Sequence, residues 1–420
     1  MSKLEKLIQQ YCPDGVEWKT FSEVFETITD YTAAGSFKNI ADNVQYLKVP
    51  DYAMLIRTTD LKSNFIKGGF IYVSESAFNY LWRVNMDKEC IVMPNVGNCG
   101  EIYYVQPKDL PYEHCALAPN AILVRSNTQN NRYLSYCLQV EDFQKQLKKI
   151  TSPVGQSKFN KSELKKLVLP IPPLPVQEEI VRVLDVFTEL QAELQAELQK
   201  RKQQYNFYRD NLLTNFTTEQ NVKEYTLGEL GSFTRGNGLQ KKDFTKEGVG
   251  CIHYGQIYTR FGAFADKTLT YVNRELASHL LQVEKGNLVI ACTSENVEDI
   301  CKSVAWLGEE NICTGGHACV FRHDQNPKYI SYFFQTEYFF NQKKKYTYGT
   351  KVKDIKPDSI AKIKIPLPSL KEQERIVSIL DNLYTLTNDL TSGLPAEMEK
   401  RRQQYEFYRD KLLTFKRKEA

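Results

Sequence analysis

Beyond residue 178, apolar or tyrosine side chains recur at Ile180, Leu184, Phe187, Leu194, Leu198, Tyr205, Tyr208 and Leu212. The steps alternate between four and three, with Gln191 and Arg201 at the two remaining positions. That spacing is a heptad seam. It predicts a helix beginning near Glu178, just after Pro175, with Gln177, Glu178 and Glu179 in the first turn, where carboxylates suit the positive dipole end. About 37 residues at ~1.5 Å each make a rod of about 55 Å. A second seam runs through Ile376, Leu380, Leu383, Leu386, Leu390, Leu394, Met398, Tyr405, Tyr408 and Leu412. Either stripe alone would face water. Antiparallel packing of the two helices satisfies both, so Leu184, Phe187, Leu194, Leu198, Tyr205 and Tyr208 are expected against Leu380, Leu383, Tyr405 and Tyr408.

Before each seam the pattern changes to short alternating runs punctuated by glycine, asparagine and proline: 44–48, 69–73, 90–94, 102–106 and 120–125, then 251–258, 269–273, 287–292, 302–307 and 318–322. These predict strands. A short amphipathic helix is expected after them at 131–146 and again at 327–342, and a second short helix near 160–167 and 356–363. The fold class is α+β: two globular mixed α/β domains separated by two long antiparallel coiled-coil helices.

The two halves are copies. KRKQQYNFYRDNLLTNF at 200–216 reappears as KRRQQYEFYRDKLLTF at 400–415, and Tyr133-Leu134-Ser135-Tyr136 answers Tyr329-Ile330-Ser331-Tyr332. A period near 200 residues is too long for a solenoid. It marks a duplicated domain-plus-helix unit with a pseudo-twofold relation, and a twofold or bipartite target. The expected division is 1–170 and 221–365 for the globular domains, with 171–220 and 366–420 for the helices. Two irregularities stand out. ELQAELQAELQ (189–199) repeats a tetrapeptide along the first rod, read either as good helix formers or as a length-adjustable ruler. In the second rod the offset grows from 196 to 200, about one turn, and Gly393-Leu394-Pro395 should interrupt it.

Composition narrows the function. Ten cysteines lack C-x-x-C spacing, and five histidines do not cluster, so no metal site and no disulfide framework is expected; reduced thiols in a cytosolic protein fit better. No apolar run has signal-peptide or membrane-spanning length. Phosphate loops, H-E-x-x-H and dinucleotide fingerprints are missing. The one nuclease-like string, Pro13-Asp14 with Glu17 and Lys19, is too short to converge on a metal, so neither cofactor nor independent catalysis is expected. The net charge of +4 is small, but it is local. Lys145, Lys148, Lys149, Lys158, Lys161, Lys165 and Lys166 face only Glu163 within 145–166. Likewise Lys343, Lys344, Lys345, Lys351, Lys353, Lys356, Lys362 and Lys364 face Asp354 and Asp358 within 341–364. Clustered cations at the same place in both copies point to phosphate contact, and amides and arginines nearby suit base edges. The candidate DNA-binding residues are Arg57, Thr59, Asn95, Asn98, Gln156 and Lys158 in the first half. In the second they are Gln256, Tyr258, Arg260, Thr293, Ser294, Asn296, Lys344, Lys345 and Lys351.

The opening KLEKLIQQYCPDGVEWKTFSEV, the twin elements LPIPPLPVQEEIVRVLD and IPLPSLKEQERIVSILD, the duplicated KR(K/R)QQY(N/E)FYRD(N/K)LLT helices and CIHYGQIYTRFG (251–262) carry a resemblance that spans essentially the whole chain. It resembles the specificity subunits of type I restriction–modification systems. The resemblance implies two target-recognition domains, each reading one half of an interrupted sequence in double-stranded DNA. It also implies conserved helices that dock two modification subunits, restriction subunits joining the full complex, and tetrapeptide repeats that set half-site spacing. The chain would then be a non-catalytic, cytoplasmic DNA-recognition subunit with no membrane partner. The competing reading is a coiled-coil scaffold whose two domains bind proteins.

Overall fold

The computed structural model describes residues 3–152, 155–216, 222–388 and 392–419. The chain forms two compact units, residues 1–192 with 400–420, and residues 193–399. Both are α+β. The expected boundary at 220/221 lies outside the described residues, as does the seam position Leu390.

In the first unit an antiparallel four-stranded sheet has the order Thr27–Asp30, Ala121–Arg125, Cys90–Pro94, Tyr103–Val105. A three-stranded sheet places Ala53–Ile56 between antiparallel Ile71–Val73 and parallel Cys115–Leu117. The second unit repeats this plan. Gly231–Arg235, Ala318–His323, Leu288–Ala291, Ser303–Trp306 and Phe264–Ala265 form one sheet; Thr270–Val272, Val249–Ile252, Ile312–Thr314 and Leu281–Val283 form the other. Val249–Ile252 again runs parallel to its neighbour, Ile312–Thr314. All-apolar strands such as Ala53–Ile56 and Leu288–Ala291 are covered on both faces.

The duplication extends to individual hydrogen bonds. Tyr133 and Tyr329, both fully buried, donate to the carbonyls of Pro170 and Pro366 at 3.0 and 2.9 Å. Gln177 accepts from the Asn130 amide at 3.1 Å and donates to Pro172 O at 2.7 Å. Gln373 does the same with Asn326 and Pro368, both at 3.0 Å. These glutamines satisfy backbone groups where a domain meets its helix, and burying such groups unpaired would be costly.

The long helix runs Leu174–Thr214, four residues earlier than the seam predicted. Pro175 sits inside the first turn, where its missing N–H has no intrahelical partner to lose. The second rod is two helices, Leu370–Asn388 and Leu394–Leu412. Pro395 does not kink a helix but begins one, with Gly393 O accepting from Ala396 N and Glu397 N.

Each unit closes its core with a helical segment from the other copy's sequence. In the first, Tyr405 and Leu413 join Val176, Ile180 and Leu184, and Tyr408 stacks on Phe187 with ring centroids 5.4 Å apart. Leu413 lines a cavity beside Leu169 and Pro170, so this pair runs antiparallel. In the second, Tyr205 and Leu213 join Ile376, Val377 and Leu380, with Leu383 and Tyr384 packed alongside. Leu198 is buried and Leu194 half-buried. The seam departs from its forecast at four places. Tyr208 is 42% exposed, Leu386 yields to a buried Thr387, and Leu213 and Leu413 are deeper than Leu212 and Leu412. A straight helix of 3.6 residues per turn drifts from a heptad stripe.

The single helix expected at 131–146 is two, Asn131–Cys137 and Glu141–Ile150, as is that at 327–342, Pro327–Phe333 and Glu337–Tyr346. Two strand expectations fail. Residues 44–48 make only an isolated bridge, Leu47 to Tyr72. Residues 251–258 are a strand only to Ile252 and then a helix, Tyr254–Thr259. Its start is fixed by Gln256 Oε1 accepting from His253 N at 2.9 Å and His253 Nδ1 accepting from Gly255 N at 3.2 Å.

Candidate nucleic-acid interface

Three loops meet at one edge of each unit. In the first, strand Ala53–Ile56 leads into the short helix Thr58–Lys62, strand Cys115–Leu117 into a turn ending at Asn120, and strand Cys90–Pro94 into Asn95–Gly100. Backbone bonds stitch them together: Ala118 N to Ile56 O at 2.9 Å, and Asn95 N to Asn120 O at 3.2 Å. The basic segment joins through Gly97 N to Ser157 O at 2.7 Å, Phe159 N to Asn95 O at 3.1 Å, and a bridge between Val96 and Lys158. The second unit repeats most of the stitching, with the Thr314 hydroxyl donating to Ile252 O at 2.7 Å where the first unit uses a backbone amide. Cys292 N donates to His317 O at 2.8 Å, Ile355 N to Cys292 O at 3.1 Å, and Thr293–Ser294 pairs with Lys353–Asp354.

This edge gathers most of the residues expected from sequence. Asn98, Gln156 and Lys158 are exposed, Asn95 half-buried. Thr59 is exposed beside Arg57, whose guanidinium is committed locally: Nε and Nη2 donate to Asp60 at 2.9 and 2.6 Å. That hydrogen bonding pushes the Arg57 pKa up further. Asp60 also caps the Arg57 amide at 2.9 Å, the role Gln256 plays for His253 in the second unit. Gln256 is therefore a cap, with Nε2 donating to Thr270 Oγ1 at 3.2 Å. Tyr258 donates its hydroxyl to Thr293 O, and Asn296 holds its own turn through Asp299 at 2.7 and 2.8 Å. Arg260 is exposed and Ser294 half-buried. Turn and cap chemistry thus occupies Gln256, Tyr258 and Asn296, whereas Thr59, Asn98, Gln156, Lys158 and Arg260 present side chains to solvent.

Sequence reasoning passed over a second group. Arg235 grips Asp354 with both terminal nitrogens, at 3.1 and 2.7 Å, and Tyr348 donates to the same carboxylate at 2.9 Å. Burial opposes ionisation of Asp354, but these donors hold its pKa below the usual range. Tyr254 lies between His253 and His317, with ring centroids at 4.5 and 4.7 Å. Burial, with Lys241 and His317 nearby, keeps the His253 pKa low. His253 and Tyr254 lie within CIHYGQIYTRFG, whereas Arg235, His317 and Tyr348 lie in no motif and come together only through long-range pairing.

The lysine clusters divide. Lys344, Lys345 and Lys351 are exposed. Lys343 is not a surface cation: it is 4% exposed, and its ammonium donates to Glu298 O at 2.9 Å and Ile300 O at 2.5 Å. Leu147, a fully apolar side chain, fills the corresponding position in the first unit, 1% exposed. Lys145, Lys161 and Lys166 pair with Glu141, Asp30 and Glu163 at 2.9, 2.9 and 2.7 Å. Among the described residues no group of three or more His, Cys, Asp or Glu could hold a metal ion, and no helix is long and apolar enough to cross a membrane.

Comparison with known proteins matches this architecture. The family model described as the type I restriction modification DNA specificity domain fits residues 13–201 and again 219–400. A putative type I restriction enzyme specificity subunit from Haemophilus influenzae is 32% identical over 303 residues, 68% of this chain and 72% of that one. The EcoR124I/EcoR124II specificity subunit of Escherichia coli is 34% identical over 263 residues, 61% of this chain and 65% of that one. The crystal structure of an S subunit from M. genitalium superposes with a TM-score of 0.51 at 14% identity, over 95% of this chain and 96% of the other. A chain from a structural study of type I R-M complex assembly superposes with a TM-score of 0.55 at 14% identity, over 96% and 98%. With its family model matched twice, once on each copy of the repeat, the chain belongs to the type I restriction–modification DNA specificity family.

Proposed function

We propose that the chain is the specificity subunit of a type I restriction–modification complex, a non-catalytic, cytoplasmic protein that recognises an interrupted target in double-stranded DNA. It directs two modification subunits to that target, and restriction subunits when they join. The globular parts of 1–170 and 221–365 each read one half-site, while 171–220 and 366–420 supply the helices. The observation that carries this reading is the same three-loop edge, joined by a lysine-bearing segment, built twice by one hydrogen-bond plan. Clustered cations supply sequence-independent phosphate affinity, and exposed amides beside them supply base discrimination. Thr59, Asn98, Gln156 and Lys158 in one unit, and Arg260, Lys344, Lys345 and Lys351 in the other, are the side chains free to do this. Arg57, Asn95, Gln256, Tyr258, Thr293, Ser294 and Asn296 shape the loops that present them.

The test is co-expression with the modification subunit, followed by mapping of methylated bases across the host genome. A single interrupted motif that disappears when this chain is omitted is expected. An uninterrupted motif, or methylation independent of this chain, would sink the proposal.

A further inference from the structure

Strand register equates two residues that the repeat in sequence does not mark. In the first unit Pro94 pairs with Ala121, and in the second Ala291 pairs with Ala318. The residue preceding each paired alanine is Asn120 in one copy and His317 in the other. Both are exposed. Both are the last residue of the turn that joins the parallel strand to an inner antiparallel strand, and both have their carbonyl fixed by the amide that comes after the neighbouring strand, Asn95 N or Cys292 N. All three loops converge on this position. The scaffold around it is duplicated while the side chain differs.

We infer that Asn120 and His317 are matched specificity-determining residues, each contacting one base pair of its own half-site. The inference rests on the function proposed above. The side-chain amide of Asn120 makes no hydrogen bond among the described residues, so it can donate and accept at once, the pattern an adenine edge offers in the major groove. His317 is oriented by Nδ1 against Thr293 Oγ1 at 3.0 Å and by its ring contact with Tyr254 at 4.7 Å. Its Nε2 remains for a base edge.

Asn120 has a competing structural role, since its φ of 71° is a left-handed conformation that asparagine and glycine tolerate. Asn120→Gly separates the two, because glycine keeps the turn and removes the amide. With the full complex of this chain and its modification subunit, methylome mapping first fixes the wild-type motif. Asn120→Gly should then relax one base pair of one half-site, with roughly tenfold or greater loss of discrimination there. His317→Ala should relax one base pair of the other half-site, and His317→Asn should move that position toward adenine. Unchanged motifs, relaxation in the wrong half or in the spacer, or complete loss of methylation by Asn120→Gly would overturn the inference. A wild-type chain that directs no interrupted motif would instead defeat the functional reading beneath it.

Discussion

The hydroxyl of Tyr332 donates to the Asp381 carboxylate at 2.7 Å, from a ring that is fully buried. Lys328 reaches the other carboxylate oxygen, also at 2.7 Å. The bond ties the globular part of the second unit to its helix Leu370–Asn388. Tyr136, Asp185 and Arg132 form the counterpart in the first unit. Tyr332→Phe should therefore lower stability by about 1–2 kcal/mol, the range for a hydrogen bond to a charged group that is partly solvated. Asp381→Ala, which leaves a buried hydroxyl unpaired, should cost about 2–3 kcal/mol. Urea denaturation read through Trp306, which is 2% exposed within the same unit, measures both. Equal midpoints for wild type and Asp381→Ala would show that the contact contributes nothing.

Neighbouring lysines should behave in opposite ways. Lys344, Lys345 and Lys351 are exposed, so replacing all three with alanine should weaken binding to every duplex alike. It should also flatten the salt dependence of log K by up to about three charges' worth, without changing stability. Lys343 donates to two backbone carbonyls from the interior. Lys343→Ala should leave the salt slope intact and destabilise the unit by about 1–3 kcal/mol. Affinity titrations at several salt concentrations, beside a denaturation curve for each variant, distinguish the two. A reduced salt slope for Lys343→Ala would contradict the burial argument.

Acid should strike the two units in different windows. Burial lowers the His323 pKa to about 4, against about 6.5 in an unfolded chain. The unfolded state thus binds more protons between these values, and the second unit loses stability as pH falls from about 6.5 toward 4. Glu179 in the first unit is held at about 2, chiefly by Arg182 against the opposing effect of burial, with Lys3 assisting. Its contribution is present above about 4.5 and fades as pH falls toward 2. Trp306 belongs to the second unit and Trp18 and Trp82 to the first, so fluorescence of the wild type and of Trp306→Phe resolves the order. The Trp306 signal should change first, and His323→Gln should remove that early phase. Simultaneous loss of both signals would refute independent acid responses.

Much of this architecture was legible because duplication leaves the same residues in both copies. Tyr133 and Tyr329, Gln177 and Gln373, and Asp185 and Asp381 occupy equivalent positions, and each pair makes equivalent bonds. The helices were legible from their stripe, and the second rod is interrupted beside Gly393 as expected, although Pro175 and Pro395 both lie inside first turns. What escaped was decided by long-range pairing. Residues 251–258 alternate like a strand, yet the Gln256 cap turns their second half into helix. Lys343 sits in a run of charge, yet it faces the interior because the turn bearing Glu298 and Ile300 offers it carbonyls. Asn120 and His317 share no motif and become equivalent only through strand register. Of the candidate side chains, Gln256 and Asn296 were drawn into accepting from backbone amides, Tyr258 into a backbone carbonyl and Arg57 into the Asp60 carboxylate, while Thr59, Asn98, Gln156, Lys158 and Arg260 stayed exposed.

The tetrapeptide run gives the last prediction. AELQ units occupy 192–199 within the helix Leu174–Thr214, with Leu194 and Leu198 on its inner face. Inserting one further AELQ after Gln199 lengthens this helix by about 6 Å and rotates its C-terminal portion by only about 40° beyond a full turn. The packing of Tyr205 and Leu213 against Ile376 and Leu380 can absorb that rotation. The gap between half-sites should grow by one or two base pairs, at about 3.4 Å each, while neither half changes. Inserting only Ala-Glu rotates the same portion by about 200°, turning Tyr205 and Leu213 away from their core, and should abolish methylation. Methylome mapping of both insertions is decisive. If the four-residue variant altered a half-site, or if the two-residue variant simply shifted the gap, the helix would not be acting as a spacer.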